Sequence, residues 1–382
     1  MILHTDCRFF RGDIPCKPHK QHGVHCDGCS YYDPVDKNIL IIKLGAIGDV
    51  IRTTPLLHRL KKEFPRAKIW WLTHTPEMIP SSVDVPMKLT LENVIALRSI
   101  TFDIVYNLDK DREACALAVQ IAADAKKGFT LIDGRCAPIN SDAEEKFYTG
   151  IFDDINKANT KSYPQEIFEI CGFTFNKEKY ILPFEPWKDK KWKLSKKKKV
   201  VGFNTGCGGR WTSRLWPEKY WISAAKALKK AGIEVLLLGG EQEHAKNVKI
   251  AKASGAKYFG HYPLNQFINL VDQCDLVVTA VTMAMHITIG LGKKIVLFNN
   301  IFNKHEFELY GLGEILEPEF DCDCYFTPTC PNNCMQYLYP DRVVKTVTQL
   351  LRQKDGGRVR QKDGGQVRQK EIGAAKTSVT FA

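Results

Sequence analysis

The chain has 382 residues, 44% of them hydrophobic, with 55 Lys and Arg against 43 Asp and Glu for a net charge of +12. That length can bury more than one sizeable core, and at roughly 150 residues per domain it predicts two. No run approaches the ~20 apolar residues that span a bilayer, and the first residues, MILHTDCRFFRGD, carry charges where a signal peptide has its apolar stretch, so the chain reads as cytoplasmic.

Residues 1–37 are rich in Cys, His, Gly and Pro and lack apolar periodicity, so they read as a small arm. Cys7, Cys16, Cys26 and Cys29 are spaced as four metal ligands, with His19, His22 and His25 as competitors. The Cys26-x2-Cys29 pair fits tetrahedral zinc, and an arm without a core needs a staple. Thirteen cysteines in a reducing compartment favour metal ligation and buried thiols over a disulfide framework.

From residue 38 the texture changes. Short apolar runs at 39–42, 69–72 and 104–108 alternate with helical patterns at 55–64 and 113–123, which predicts βα units on a parallel sheet over 38–186. Thr54 is placed to cap the helix opening at Pro55. Between the first strand and that helix runs KLGAIGDVIRTTPLL, residues 43–57. It is neither a Walker loop nor a Gly-x-Gly-x-x-Gly fingerprint. Lys43 leads it, Gly45 and Gly48 let the backbone turn tightly, and Asp49 stands at the strand's carboxyl end. Alone, that Asp reads more readily as a helix cap than as a reacting group. Arg52, Arg59, Lys61 and Lys62 beyond it could greet an anionic acceptor but read more readily as a solvated helix face.

PFEPWKDKKWKLSKKKK, with two prolines and a lysine run, marks a linker over 187–199. The alternation then repeats over 200–318: strands at 200–204, 234–238, 276–279 and 295–298, with helices at 217–231 and 243–254. Two doubly wound halves leave a cleft at the carboxyl ends of their strands, where ligands of open α/β sheets bind. Three loops there carry chemistry. Asn204, Thr205 and Gly206 expose amides, with Arg210 and Arg214 as forked donors suited to a pyrophosphate. Glu241 and Glu243 follow a Gly-Gly strand end, where a carboxylate accepts from ribose hydroxyls or favours a helix dipole. Thr282, Met283 and Ala284 open a helix whose first amides form a second anion site, with His286 one turn inside.

Residues 319–351 hold a second cluster, Cys322, Cys324, Cys330 and Cys334, and a closing helix. Four thiols within thirteen residues suit zinc or iron in a structural site. Cys115, Cys136, Cys171, Cys207 and Cys274 are scattered and read as buried. The segment 352–382 repeats RQKDGGRV, RQKDGGQV and RQKEIGAA, cannot bury apolar area, and reads as a disordered basic tail that supplies five of the twelve net positive charges.

Taken together, KLGAIGDVIRTTPLL, NTG with SRLWPEKYW, LGGEQE, and VTMAMHITIGLGKKIVLF, in this order and spacing, resemble glycosyltransferase family nine, the ADP-heptose heptosyltransferases of lipopolysaccharide synthesis. The resemblance implies a GT-B architecture of two Rossmann-like domains, the first for acceptor and the second for the nucleotide-sugar donor. It implies inverting transfer that needs no metal, with Asp49 as general base, Arg214 on the donor phosphates, and Glu243, or Glu241, on the donor. Where the family reads Asp-Thr-Gly-x-x-His, this chain reads Val281-Thr282-Met283-Ala284-Met285-His286. That form, with the cysteine-rich C-terminal segment, looks more like the branch of iron-containing autotransporter heptosyltransferases, which modify protein. The acceptor implied is thus an anionic glycan, a lipid-linked core or a polypeptide. The basic surplus suits peripheral contact with the inner membrane surface, and an oligomer is compatible with everything above. The rival readings are a metal-stapled nucleic-acid-binding protein, for which no recognisable module is present, and a GT-B nucleotide-sugar epimerase or degenerate transferase.

Overall fold

The computed structural model describes residues 2–186 and 192–353. The lysine-rich stretch 187–191 and the repeat tail from 354 lie outside the described residues. Eleven strands form two sheets. The first six are β1 Lys37–Ile42, β2 Ala67–Thr73, β3 Val85–Lys88, β4 Thr101–Asn107, β5 Ala122–Ile132 and β6 Arg135–Pro138. They lie in the order β3-β2-β1-β4-β5-β6, parallel except for the β5–β6 hairpin. The second sheet contains β7 Val200–Asn204, β8 Glu234–Leu238, β9 Leu276–Ala280, β10 Lys294–Phe298 and β11 Gly313–Leu316. Its order is β11-β10-β9-β7-β8, all parallel.

The apolar runs become strands because helices cover both faces. Ile39 and Ile41 enter one core cluster of the first sheet while Leu40 and Ile42 enter the other, as the two-residue period of a strand requires. In the second sheet Leu237 faces one core and Leu236 and Leu238 the opposite one. The chain therefore has two doubly wound α/β sheets of GT-B type, each with a topological switch point. The first falls between β1 and β4, the second between β7 and β9, and ligands bind beyond the strand ends at such points.

The sequence patterns at 200–204 and 234–238 match β7 and β8 residue for residue. The helical pattern at 113–123 overran: the helix is Arg112–Gln120, and 122 and 123 already pair with β4. The continuation, ADAKKG, is too polar to announce a strand, but Asp133-Gly134 at its far end, φ 47° and 75°, is the hairpin signal that marks it. Thr54 does not cap a helix start. A helix already runs from Ile47 to Thr53, and Thr54 sits at its end, donating to the Ile51 carbonyl at 2.7 Å and accepting from the Ile181 amide at 2.8 Å.

The sheets meet through that short helix. Ile51 joins the core cluster of the second sheet beside Met285 and Ile287. Gly48 lies so close to the helix Met283–Gly290 that a Cβ there would stand 2.6 Å from His286 Cδ2 and 3.1 Å from Nε2. The N-terminal arm docks on the first sheet through Arg8, whose guanidinium donates to the Ala67 carbonyl at 2.9 Å and pairs with Asp33 and Asp84 at 2.7 and 2.9 Å. No described helix is long and apolar enough to cross a membrane.

A methyl group at residue 48 has no room unless the His286 ring gives way. Gly48→Ala should lower unfolding free energy by about 1–3 kcal/mol, read by calorimetry. The double change with His286→Ala should recover part of that loss, because the two residues share one contact.

Candidate active site

The first strand-end loop is shaped from within by Asp109, which follows β4. Its Oδ2 accepts from the Leu44 amide at 2.9 Å and the Gly45 amide at 3.5 Å, and pairs with Lys43 Nζ at 3.3 Å. Lys43 is buried there, and the surrounding Tyr163, Asp49 and Asp109 overcome burial to keep its ammonium charged. The loop then delivers Asp49 to the third residue of the helix, where Oδ2 accepts from the Ala46 amide at 3.1 Å. Capping and presentation are therefore one arrangement. Asp49 Oδ1 takes Arg52 Nε and Nη2, both at 2.8 Å, while 31% of its side chain stays accessible. Burial alone would raise this carboxyl; Arg52 and Lys43 outweigh it and hold the group at about 2.

Arg52 is thus not part of a solvated helix face, as its place beside Arg59, Lys61 and Lys62 suggested. It is mostly buried, its guanidinium lies 3.5 Å from the Tyr163 ring centre, and its Nη1 pairs with Glu306 at 2.7 Å. Glu306 sits in the short turn Lys304–Glu306 after β10. One guanidinium therefore joins the acid of the first sheet's loop to a carboxylate of the second. Neither Tyr163 nor Glu306 was legible as a site residue, since only the folded chain brings 52 and 306 together. His286, 4% exposed, is pushed down to about 3 by burial and by Arg52, so it faces Gly48 as a neutral ring with an unpartnered Nδ1.

The second switch point gathers the other candidates. Asn204 Nδ2 donates to Thr279 Oγ1 at 3.0 Å and Thr282 Oγ1 at 3.3 Å, tying the ends of β7 and β9 together. Thr205 donates to Asn247 Oδ1 at 2.6 Å. A Cβ at Gly206 would come within 2.2 Å of the Glu243 carboxyl, so a side chain there displaces Glu243. Glu243 also accepts from the Gly240 amide at 2.9 Å, whereas Glu241 is exposed. Of the two acids, Glu243 is the one turned into the site. Lys246, which the sequence pattern hid inside a helix, donates to the Thr205 carbonyl at 2.8 Å, and burial lowers its ammonium pKa. Arg214, 8% exposed, donates to the carbonyls of Cys207 at 2.8 Å, Trp211 at 3.4 Å and Val281. It stitches the loop after β7 to the residue that precedes Thr282. Thr282 then opens the helix Met283–Gly290, whose first amides, including those of Met283 and Ala284, have no carbonyl within the helix to bond.

The C-terminal cysteines stand behind this loop. Cys322 and Cys330 Sγ lie 3.6 Å apart, as do Cys324 and Cys334. Four thiolates around one ion at 2.3 Å form a tetrahedron with edges of about 3.8 Å, so the four fit zinc or iron. Amide donors surround the sulfurs: Asn300 Nδ2 reaches Cys334 at 3.2 Å and the Cys334 amide reaches Cys330 at 3.5 Å. Among the described residues this is the one group of Cys, His, Asp or Glu whose donor atoms converge in this way. The N-terminal four do not, though all of them line a single hollow. The C-terminal cluster is in contact with the loop after β7. Ser213 donates from its amide to Pro328 at 3.0 Å and from its hydroxyl to Thr327 at 2.8 Å, Asn300 donates to the Ser213 carbonyl at 2.9 Å, and the Trp211 ring lies 5.5 Å from Phe326. The cysteine spacing alone could not reveal this brace on Arg214.

Comparison with known proteins agrees with this geometry. Residues 153–306 match the family described as glycosyltransferase family 9 (heptosyltransferase). Lipooligosaccharide heptosyltransferase 2 of Haemophilus influenzae is 22% identical over 295 residues, 68% of this chain and 82% of the relative. The structure resembles that of the E. coli ADP-heptose lps heptosyltransferase II, with a TM-score of 0.59 and 16% identity over 82% of this chain and 98% of the other. It also resembles the iron-containing dodecameric glycosyltransferase TibC of enterotoxigenic E. coli, with a TM-score of 0.54 and 11% identity over 83% and 77% of the two chains.

Two outcomes follow from the site. Arg52→Leu should destabilise the fold by about 2 kcal/mol, less than the 3–5 typical of a fully buried pair because Asp49 keeps contact with solvent. The Asp49 share of that stability exists above the unfolded carboxyl pKa of about 4 and is lost as pH falls toward 2, so urea titrations of wild type and variant should converge in that window. Cys324→Ser with Cys334→Ser should speed hydrogen exchange at amides 207–216 while leaving β1 protected, as read by mass spectrometry.

Proposed function

We propose that this chain, a glycosyltransferase family 9 heptosyltransferase-like protein, transfers a heptose or related sugar from an ADP-sugar to an acceptor hydroxyl. The observation that carries the reading is the contact of Gly48 with His286. It sets the loop bearing Asp49 against the helix that Thr282 opens, which supports reading Asp49 as the base and that helix start as the anion site. The sequence match to a heptosyltransferase family and the structural likeness to a protein whose description names ADP-heptose support the donor.

In this mechanism the diphosphate lies against the Asn204–Gly206 amides and the Thr282 helix start, with Arg214 turning donors from Val281 and Cys207 toward it. Glu243 accepts from the ribose, and Lys246 adds a second cation. Asp49 takes the proton of the acceptor hydroxyl as its oxygen attacks the anomeric carbon. The carbon–diphosphate bond breaks on the opposite face, so the anomeric centre inverts, and the leaving charge is met by preorganised donors. A carboxyl held at about 2 is a weak base, so the acceptor must draw Arg52 partly away from Asp49 as it binds. The acceptor is a hydroxyl of the lipopolysaccharide core, another glycan or a protein. The C-terminal four thiols hold zinc or iron as a brace for the Arg214 loop and take no part in the transfer.

Asp49→Asn should lower turnover by about 10²–10⁴-fold with ADP affinity unchanged, since the amide oxygen still accepts from Ala46. Unchanged turnover removes Asp49 as the base. Arg214→Ala should weaken ADP binding by about 1.5–3 kcal/mol in titration calorimetry, and equal affinity would contradict its phosphate role. Donors are distinguished by diphosphate release from ADP-, GDP- and UDP-sugars.

A further inference from the structure

The N-terminal arm contributes to no hydrophobic core cluster, and Pro18 is its one buried residue among those described before 38. Where a core would sit, the arm lines a half-open hollow of about 470 Å³. Cys7, Cys16, Cys26 and Cys29 all line it, together with the apolar Phe9, Phe10 and Pro18. A segment this short, with so little buried apolar surface, is held by a covalent or metal staple, and all four cysteines are free.

The size of the hollow and the spread of the thiols indicate what the staple is. A single tetrahedral ion draws its sulfurs onto edges of about 3.8 Å, the arrangement found in the C-terminal four, at 3.6 Å. The arm's thiols do not converge in that way. They surround a volume many times that of one water, which occupies about 30 Å³. His19 Nδ1 is hydrogen-bonded to the Val24 carbonyl at 2.9 Å and His22 stacks on Tyr31 at 4.6 Å, while His4, His19 and His25 line the hollow beside the thiols. Four thiols beside the apolar Phe9, Phe10 and Pro18 suit a polynuclear iron–sulfur centre, in which the four thiolates are shared among several irons.

We infer that Cys7, Cys16, Cys26 and Cys29 bind an iron–sulfur cluster that supplies the missing core of the N-terminal arm. The cluster orders the segment around Arg8, which docks the arm on the start of β2 and on Asp84. Nothing in this depends on the transfer reaction, and the two readings fail separately.

The test uses the full chain purified without oxygen. Acid-labile sulfide is decisive because a mononuclear cysteine site contains none. We expect about two or four sulfides per chain with matching iron in excess of any iron held by the C-terminal four, and a broad visible charge-transfer band. Cys26→Ser with Cys29→Ser should abolish sulfide and band, whereas Cys324→Ser should keep both. If the arm variant does not fold, electron paramagnetic resonance of the reduced wild type decides, since a cluster gives a signal distinct from that of an isolated iron. Wild-type protein that carries zinc or iron without sulfide overturns the inference, as does sulfide that persists in the Cys26/Cys29 variant.

Discussion

One guanidinium organises this molecule. Arg52 lies between Asp49, on its own helix, and Glu306, on the other sheet, with the Tyr163 ring against its face. A buried cation between two carboxylates from different parts of the chain does two things at once. It holds the sheets in register, and it keeps the acid of the first loop ionised but quiet. Removing either carboxylate leaves the remaining pair in a changed field, so position and ionisation are set by the same interaction.

The same economy appears at the second sheet. Asn204 bridges the ends of β7 and β9, Arg214 bridges the loops that follow them, and the cysteine cluster behind supports the stretch from Trp211 to Ser213. A site built at a switch point needs loops, and loops need anchoring before their amides can be aimed. Here the anchors are an amide, a guanidinium and a four-thiol knot. Each fixes the loop beside it.

Much of the fold could be read in advance because parallel strands buried on both faces leave unbroken apolar runs: β7 and β8 stand where the residues placed them. β5 was missed because its outer residues are polar, and the helix before it was extended into it. Asp49, the Asn204 loop and Thr282 could be named as candidates because they follow strand ends, where ligands of open α/β sheets bind. Arg52 was misread because a basic residue on a helix pattern carries no sign of what will fold against it. Glu306, Tyr163 and Lys246 gave no local signal at all. The contact between Gly48 and His286 spans more than half the chain, and spacing could suggest each residue but not their meeting. The cysteine groups were legible as clusters, yet only coordinates separate thiols that meet at a point from thiols that ring a space.

The most direct test of Arg52's hold on Asp49 is the titration of the Asp49 carboxyl carbon by nuclear magnetic resonance in the free protein. A guanidinium bonded to it as described places the midpoint at about 2. A midpoint at or above the ordinary aspartate value of about 4 would mean that Arg52 does not hold the carboxylate, and that the link between the two sheets is made elsewhere.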